Sequence, residues 1–176
     1  MRIEAVLGDI TEQDVDAIVN AANSGLLGGG GVDAAIHVAA GPRLMAACQR
    51  LRDTDLPDGL PAGQAVATPG FDLPSRYVIH TVGPVHDEHP DGGPALLASC
   101  HLESLACAGS LGVASVAFPA ISCGVYGWTA PAAAPIAIRA VREHGRLHPD
   151  SSVGLVRFVL FSPAALDAWH TALGQG

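Results

Sequence analysis

The sequence predicts one α/β domain in which helices pack in layers on a central sheet. Three observations carry that reading. Short alternating or continuously apolar runs take turns with segments of helical spacing along the chain. The 176 residues suffice for one core and fall short of two. Hydrophobic residues make up 49% and charged residues 15%, against a usual charged share of about 25%, which excludes a disordered chain or a coiled coil.

The elements follow in order. Arg2–Leu7 alternates and reads as a strand closed by Gly8-Asp9, and Ala17–Asn20 as a short second strand. A glycine-rich loop, Ser24–Gly31, precedes a helix over Val32–Ala40 that Gly41-Pro42 stops. Pro42 suits the first turn of the next helix, Pro42–Arg52. Asp53–Gly63, with two prolines and two glycines, is loop. Gln64–Thr68 and Arg76–Val82 read as strands, the second alternating around Tyr77, Ile79 and Thr81. Gly83–Pro94 is loop. Leu97, Cys100, Leu105, Ala108 and Leu111 give Ala95–Leu111 helical spacing. Ser115–Pro119 is a strand buried on both faces. The loop Ala120–Trp128 leads to a helix over Thr129–His148, with Thr129 as its cap. Val153–Phe161 is the last strand and Ala164–Leu173 the last helix. No repeat or long linker divides residues 1–176, so one domain is expected.

Charge narrows the chemistry. The net charge is −8 and all nine basic residues are arginine. Without lysine there is no Walker A loop and no lysine Schiff base. The acidic balance disfavours broad binding to a nucleic-acid backbone. A phosphate would have to be held by backbone N–H groups and arginine. No apolar run approaches the ~18 residues of a membrane span. Glu4 falls where a leader would need apolar residues, so a cytoplasmic protein is expected. Cys48, Cys100, Cys107 and Cys123 form no Cys-x-x-Cys pair and read as reduced thiols.

Two loops carry the strongest chemical signal. Gly28-Gly29-Gly30-Gly31-Val32-Asp33 lets the backbone approach an anion at a helix N-terminus, where free N–H groups and the dipole favour negative charge. A ligand-free flexible turn is the plainer alternative. Gly29, Gly31 and Ala34 also match the dinucleotide fingerprint, with Asp53 at the right distance. That fingerprint needs its glycines directly after the strand, and Gly29 lies nine positions past Asn20, which counts against a nicotinamide-dinucleotide enzyme. Ser122-Cys123-Gly124-Val125-Tyr126-Gly127 repeats the strand–loop–helix order, so the two loops suggest a diphosphate held from both sides.

Other residues are open between structure and chemistry. Asn20 and Asn23 suit the vicinal hydroxyls of a sugar, yet Asn also closes loops. Asp33 suits catalysis, yet an acid in a first helical turn also complements the dipole. Asp9 and Thr11 read equally as turn and cap residues. Cys123 reads as a small loop residue, since no base is tied to it by motif. His144 and His148 are four apart on a helix but lack the glutamate of a zinc hydrolase and read as dipole partners. His86 and His89 are expected to face water.

These motifs together resemble the macrodomains, and most closely the MacroD-type branch that includes bacterial O-acetyl-ADP-ribose deacetylases. The likeness rests on Gly8-Asp9-Ile10-Thr11, Asn20-Ala21-Ala22-Asn23, Gly28–Asp33 with Ala35-Ile36-His37, Tyr77–Pro84 and Ile121–Gly127, in order over nearly the whole chain. It implies a three-layer α/β/α fold around a six-stranded mixed sheet, with an ADP-ribose cleft at the strand ends. Asp9 and Ile10 would meet adenine, with Phe161 packed against it; Ser162 departs from the acid expected there. Gly28, Gly29, Gly30, Gly31 and Val32 would wrap the diphosphate with Ser122, Cys123, Gly124, Val125 and Tyr126. Asn20 is carried over as a binding residue. Asn23 would bond the distal ribose, and Asp33 would orient or activate water. The likeness implies a monomeric hydrolase of O-acetyl-ADP-ribose or of ADP-ribosyl esters on protein acids, needing no metal or cofactor. A reader that binds ADP-ribose without turnover is the alternative.

Overall fold

The computed structural model describes residues 1–175. In chain order its elements are β1 (Arg2–Leu7), β2 (Ala17–Ala22), α1 (Gly31–Ala40), α2 (Pro42–Asp53), β3 (Ala65–Pro69), β4 (Tyr77–Val82), α3 (Gly93–Ser110), β5 (Ser115–Phe118), α4 (Ala130–Leu147), β6 (Leu155–Leu160) and α5 (Pro163–Gly174). The sheet runs β1-β6-β5-β2-β4-β3. Each neighbouring pair is parallel except the edge pair β3–β4, which is antiparallel.

Every predicted strand and helix forms, with shifted ends. β2 runs past Asn20 to Ala22, because β4 supplies partners for Ala21 and Ala22 at Thr81 and Val82. α3 starts at Gly93, with Pro94 in its first turn. Phe161 falls outside β6 because Ser162 already caps α5, accepting from Ala165 N. Two 3₁₀ turns also form, Ile10–Glu12 around the turn residue Thr11 and His86–Glu88 within the segment read as loop.

Alternation along the strands divides the buried residues between two cores. Ala17, Val19, Val116, Phe118, Val156 and Phe158 pack under α3, α4 and α5. There Trp169 of α5 meets Phe158 with ring centroids 5.8 Å apart, and Phe158 meets Phe118 at 5.6 Å. Ile18, Ala22, Val78, Val82, Ala117 and Val159 face the other way, under Ile36 and Ala40 of α1 and Leu44 and Cys48 of α2. The result is an α/β/α sandwich of three layers. Among the described residues no helix is long and apolar enough to cross a membrane.

The topology also sets where a site can form. A helix that follows a parallel strand begins at that strand's carboxyl end, so α1, α4 and α5 begin on one edge of the sheet.

Candidate active site

A cleft of about 670 Å³ opens on that edge, outside the ends of β2, β5 and β6. The first glycine loop forms one wall with Gly29, Gly30, Gly31, Val32 and Asp33, and the second forms the other with Ser122, Cys123, Gly124, Val125 and Tyr126. Asn23 lines the cleft between them, and Phe161 and Ser162 close one end. Phe161 is 68% exposed and Val125 98% exposed, so the rim offers apolar surface that the chain itself leaves uncovered.

The cleft's electrostatics come from the backbone. Asp33 is its sole charged lining side chain among the described residues, and no arginine reaches it, contrary to the expectation that arginine would help hold a phosphate. The first turns of α1, α4 and α5 all line it instead, turning three positive dipole ends toward one volume. Thr129 and Ser162 cap α4 and α5, accepting from Ala132 N and Ala165 N at 3.3 and 3.1 Å. The cap position of α1 is Gly30, which has no side-chain acceptor and leaves the first-turn N–H groups to a ligand.

The second loop is shaped to do the same. Cys123 N, Gly127 N and Trp128 N are spent on Ala120 O, Gly124 O and Ser122 O. The N–H groups of Gly124, Val125 and Tyr126 have no partner among the described residues. Ser122 takes a left-handed φ of 66°, and its Oγ is buried without a partner. Gly83, at the end of β4, permits this arrangement: a Cβ there would collide with Ser122 Oγ and lie 2.8 Å from Ile121 Cγ2.

Asp33 lies between the core and the glycine loop. It shares the inward face of α1 with Ile36 and Ala40 and is 4% exposed. Its Oδ1 accepts from Asn20 Nδ2 at 2.8 Å, with His37 Nε2 3.4 Å away. That histidine contact is not aligned as a hydrogen bond, since both His37 nitrogens are buried without partners. Asp33 Oδ2 faces the glycine loop: a Cβ on Gly29 would lie 3.1 Å from it and 3.2 Å from Asn23 Nδ2. Asn23 braces the same loop, donating to Gly28 O at 2.8 Å and accepting from Leu26 N at 3.1 Å. One amide hydrogen and one lone pair of Asn23 remain for a ligand.

Four expected binding residues do not line the cleft. Asn20 is fully buried and holds Asp33. Gly28 offers its carbonyl to Asn23. Ile10 is 3% exposed in the core under α1. Asp9 Oδ1 accepts from Thr11 N at 2.9 Å and Thr11 Oγ1 at 2.7 Å, the cap geometry that its sequence allowed, and its Oδ2 makes no bond among the described residues.

The thiols and remaining histidines are also placed. Burial pushes the Cys123 thiol up to about 11, which keeps it protonated and a poor nucleophile. His144 and His148 stack at 4.6 Å. His86 faces water as expected, with its side chain 55% exposed, and lies edge-on to Trp128 at 5.3 Å. Trp128 and Gly83 both line the cleft, and neither carried a chemical signal of its own in the sequence. His80 was equally silent: it lies on the sheet's α1–α2 face beside Asn20, its register partner.

The fold and site define an α/β/α sandwich on a mixed, mostly parallel sheet, with helix N-termini and two glycine loops around a cleft beside a buried acid. The Macro domain family model matches residues 19–137. A macro domain-containing protein of Streptomyces coelicolor is 54% identical over 98% of both chains. A second, from Ralstonia nicotianae, is 51% identical over 98% of this chain and 95% of its own. The structure of an Oceanobacillus iheyensis macrodomain with ADP superposes with TM-score 0.92 and 46% identity, over 97% of this chain and 88% of that one. That of a Trypanosoma brucei macrodomain in complex with ADP-ribose gives 0.87 and 36%, over 98% and 69%. The chain belongs to the macrodomain family.

Proposed function

We propose that the protein binds ADP-ribose in this cleft and hydrolyses acyl esters carried on the distal ribose, as in O-acetyl-ADP-ribose or ADP-ribosylated protein acids. The observation that carries the reading is Asp33. Diphosphate binding alone gains nothing from an acid there, and a carboxylate near two phosphates is repulsive. The loop N–H groups and helix ends suit the diphosphate, and Phe161 suits adenine. Asn23 places the ribose with its free amide valences.

In the reaction, Asp33 Oδ2 accepts a hydrogen bond from water and orients it at the acyl carbon. The water oxygen bonds that carbon as its π pair moves to the carbonyl oxygen. Loop N–H groups steady the oxyanion. Collapse breaks the carbon–oxygen bond to ribose, and the water's proton ends on the ribose oxygen, giving ADP-ribose and a carboxylic acid. These are the roles of this chain's residues; macrodomain structures holding ADP and ADP-ribose support the ligand class.

Binding without turnover is the second reading. It is favoured by one observation: Asp33 Oδ1 is already committed to Asn20, as a purely structural acid would be. A product assay on O-acetyl-ADP-ribose and on a protein carrying acid-linked ADP-ribose separates the two. Release of acetate or of free ADP-ribose at multiple turnovers supports the hydrolase. ADP-ribose binding with neither product supports the reader.

A further inference from the structure

Asn20, His80 and Thr68 form a buried polar stripe across the α1–α2 face of three neighbouring strands. They stand on β2, β4 and β3, with Asn20 and His80 direct register partners and Thr68 paired to Val78 on the antiparallel edge. Their exposures are 0%, 1% and 4%. Burying polar groups this deeply is costly unless they are bonded, and of these side chains Asn20 Oδ1 alone is buried without a partner among the described residues. The bonds run in line: Thr68 Oγ1 to His80 Nε2 is 2.9 Å, His80 Nδ1 to Asn20 Nδ2 is 3.2 Å, and Asn20 Nδ2 to Asp33 Oδ1 is 2.8 Å.

The chemistry allows one direction for these bonds. Asp33 is an acceptor, so the Asn20 atom facing it must be the amide nitrogen. The second hydrogen of that nitrogen then points at His80 Nδ1, which must hold a lone pair. The ring proton is therefore on Nε2, where Thr68 Oγ1 accepts it. Burial keeps the ring neutral, with His80 pushed down to about 3 and the nearby His37 adding to the effect. The other group against the ring is Cys48, its Sγ 4.0 Å from Nε2, with its thiol pushed up to about 11 by burial and then by Asp33.

We infer that His80 is a positioning residue: as the neutral Nε2–H tautomer, it anchors the Asn20 amide through its Nδ1 lone pair and so holds the Asp33 carboxylate with Oδ2 turned to the cleft. This rests on the proposed role of Asp33. The opposite tautomer would set two donors face to face, and the Asn20 amide would rotate off Asp33.

The test combines single-turnover ester hydrolysis, ADP-ribose calorimetry and thermal melting on the full chain with a nitrogen-15 spectrum of the imidazoles. His80→Leu is expected to slow hydrolysis about 10–100-fold, the range for losing a group that orients an acting one, with ADP-ribose affinity unchanged. His80→Asn places Oδ1 where Nδ1 was and is expected to recover most of that rate. Thr68→Val frees the Nε2–H and is expected to give a smaller loss in the same direction. The spectrum is expected to show His80 protonated on Nε2 alone. A purely structural His80 would instead lower the melting temperature of Leu and Asn variants alike and leave the rate per folded molecule untouched. That result, or a proton on Nδ1, overturns the inference and leaves the hydrolase reading standing. If His80→Leu does not fold, the Thr68→Val rate and the spectrum decide. A wild-type protein without turnover overturns both.

Discussion

At the scale of single residues, exposure separates what holds the fold from what awaits a ligand. Phe161 is large, apolar and 68% exposed at the cleft's end, just before the Ser162 cap. Its ring contributes nothing to either core, so its truncation is expected to spare stability. Phe161→Ala is expected to weaken ADP-ribose binding by about 1–3 kcal/mol, the worth of one base stacked on an aromatic ring. Calorimetry against ADP-ribose and against ribose 5-phosphate checks this: the loss should appear with the adenine nucleotide alone. Equal affinity for ADP-ribose in a folded Phe161→Ala protein would remove adenine from that end. Asn23 shows the opposite economy, since its amide braces the glycine loop and still has valences left for a sugar.

At the scale of elements, the second loop and β4 are fitted to each other. Ser122 sits in a left-handed conformation directly against Gly83, where a Cβ would collide with Oγ. Gly83→Ala is expected to cost about 1–3 kcal/mol through overpacking. It is also expected to weaken ADP-ribose binding, because Ser122 must move and carries the donors of Gly124–Tyr126 with it. Melting curves with and without ADP-ribose measure both effects. A Gly83→Ala protein as stable and as responsive as wild type would mean the loop relaxes freely. The same scale shows how the proposed diphosphate would be held in an acidic protein without basic side chains. Three helix N-termini share one edge, and the one capped by glycine keeps its donors free.

At the scale of the molecule, buried histidines set the pH response, His80 and His101 most strongly, with His144 also held down by burial and by His148. Burial pushes His80 down to about 3 and His101 to about 4, while the unfolded chain protonates near 6.5. The unfolded state therefore binds more protons between those limits. The stability concerned is complete above 6.5 and is lost as pH falls from 6.5 toward 4 and then 3. The expected slope is about 1 kcal/mol per pH unit for each histidine. Denaturant unfolding at pH 7, 6 and 5 checks this, and His101→Gln should make the slope shallower. A flat profile over that range would contradict the neutral, buried assignment of both rings.

Much of this architecture was legible in the chain. Alternation, helical spacing, apolar runs and Gly, Pro and cap residues together announce all six strands and five helices, and the glycine loops announce both walls of the cleft. What stayed hidden depends on contacts between distant residues. Asn20 looks like a sugar ligand until β2 and β4 come into register and turn it toward Asp33 and His80. Gly83 is one loop glycine among many until Ser122 packs against it. Arginine looked necessary for a phosphate because dipole ends converge only once the sheet order is known.

The proposed role of Asp33 in hydrolysis is settled by single-turnover hydrolysis of O-acetyl-ADP-ribose by wild type and Asp33→Ala, with ADP-ribose affinity measured on both. The expected result is a rate lower by about 10²–10⁴-fold in Asp33→Ala, with affinity unchanged or slightly higher. Full turnover by a folded Asp33→Ala protein, with only the ~0.3–1 kcal/mol loss of a helix-dipole acid, would contradict it.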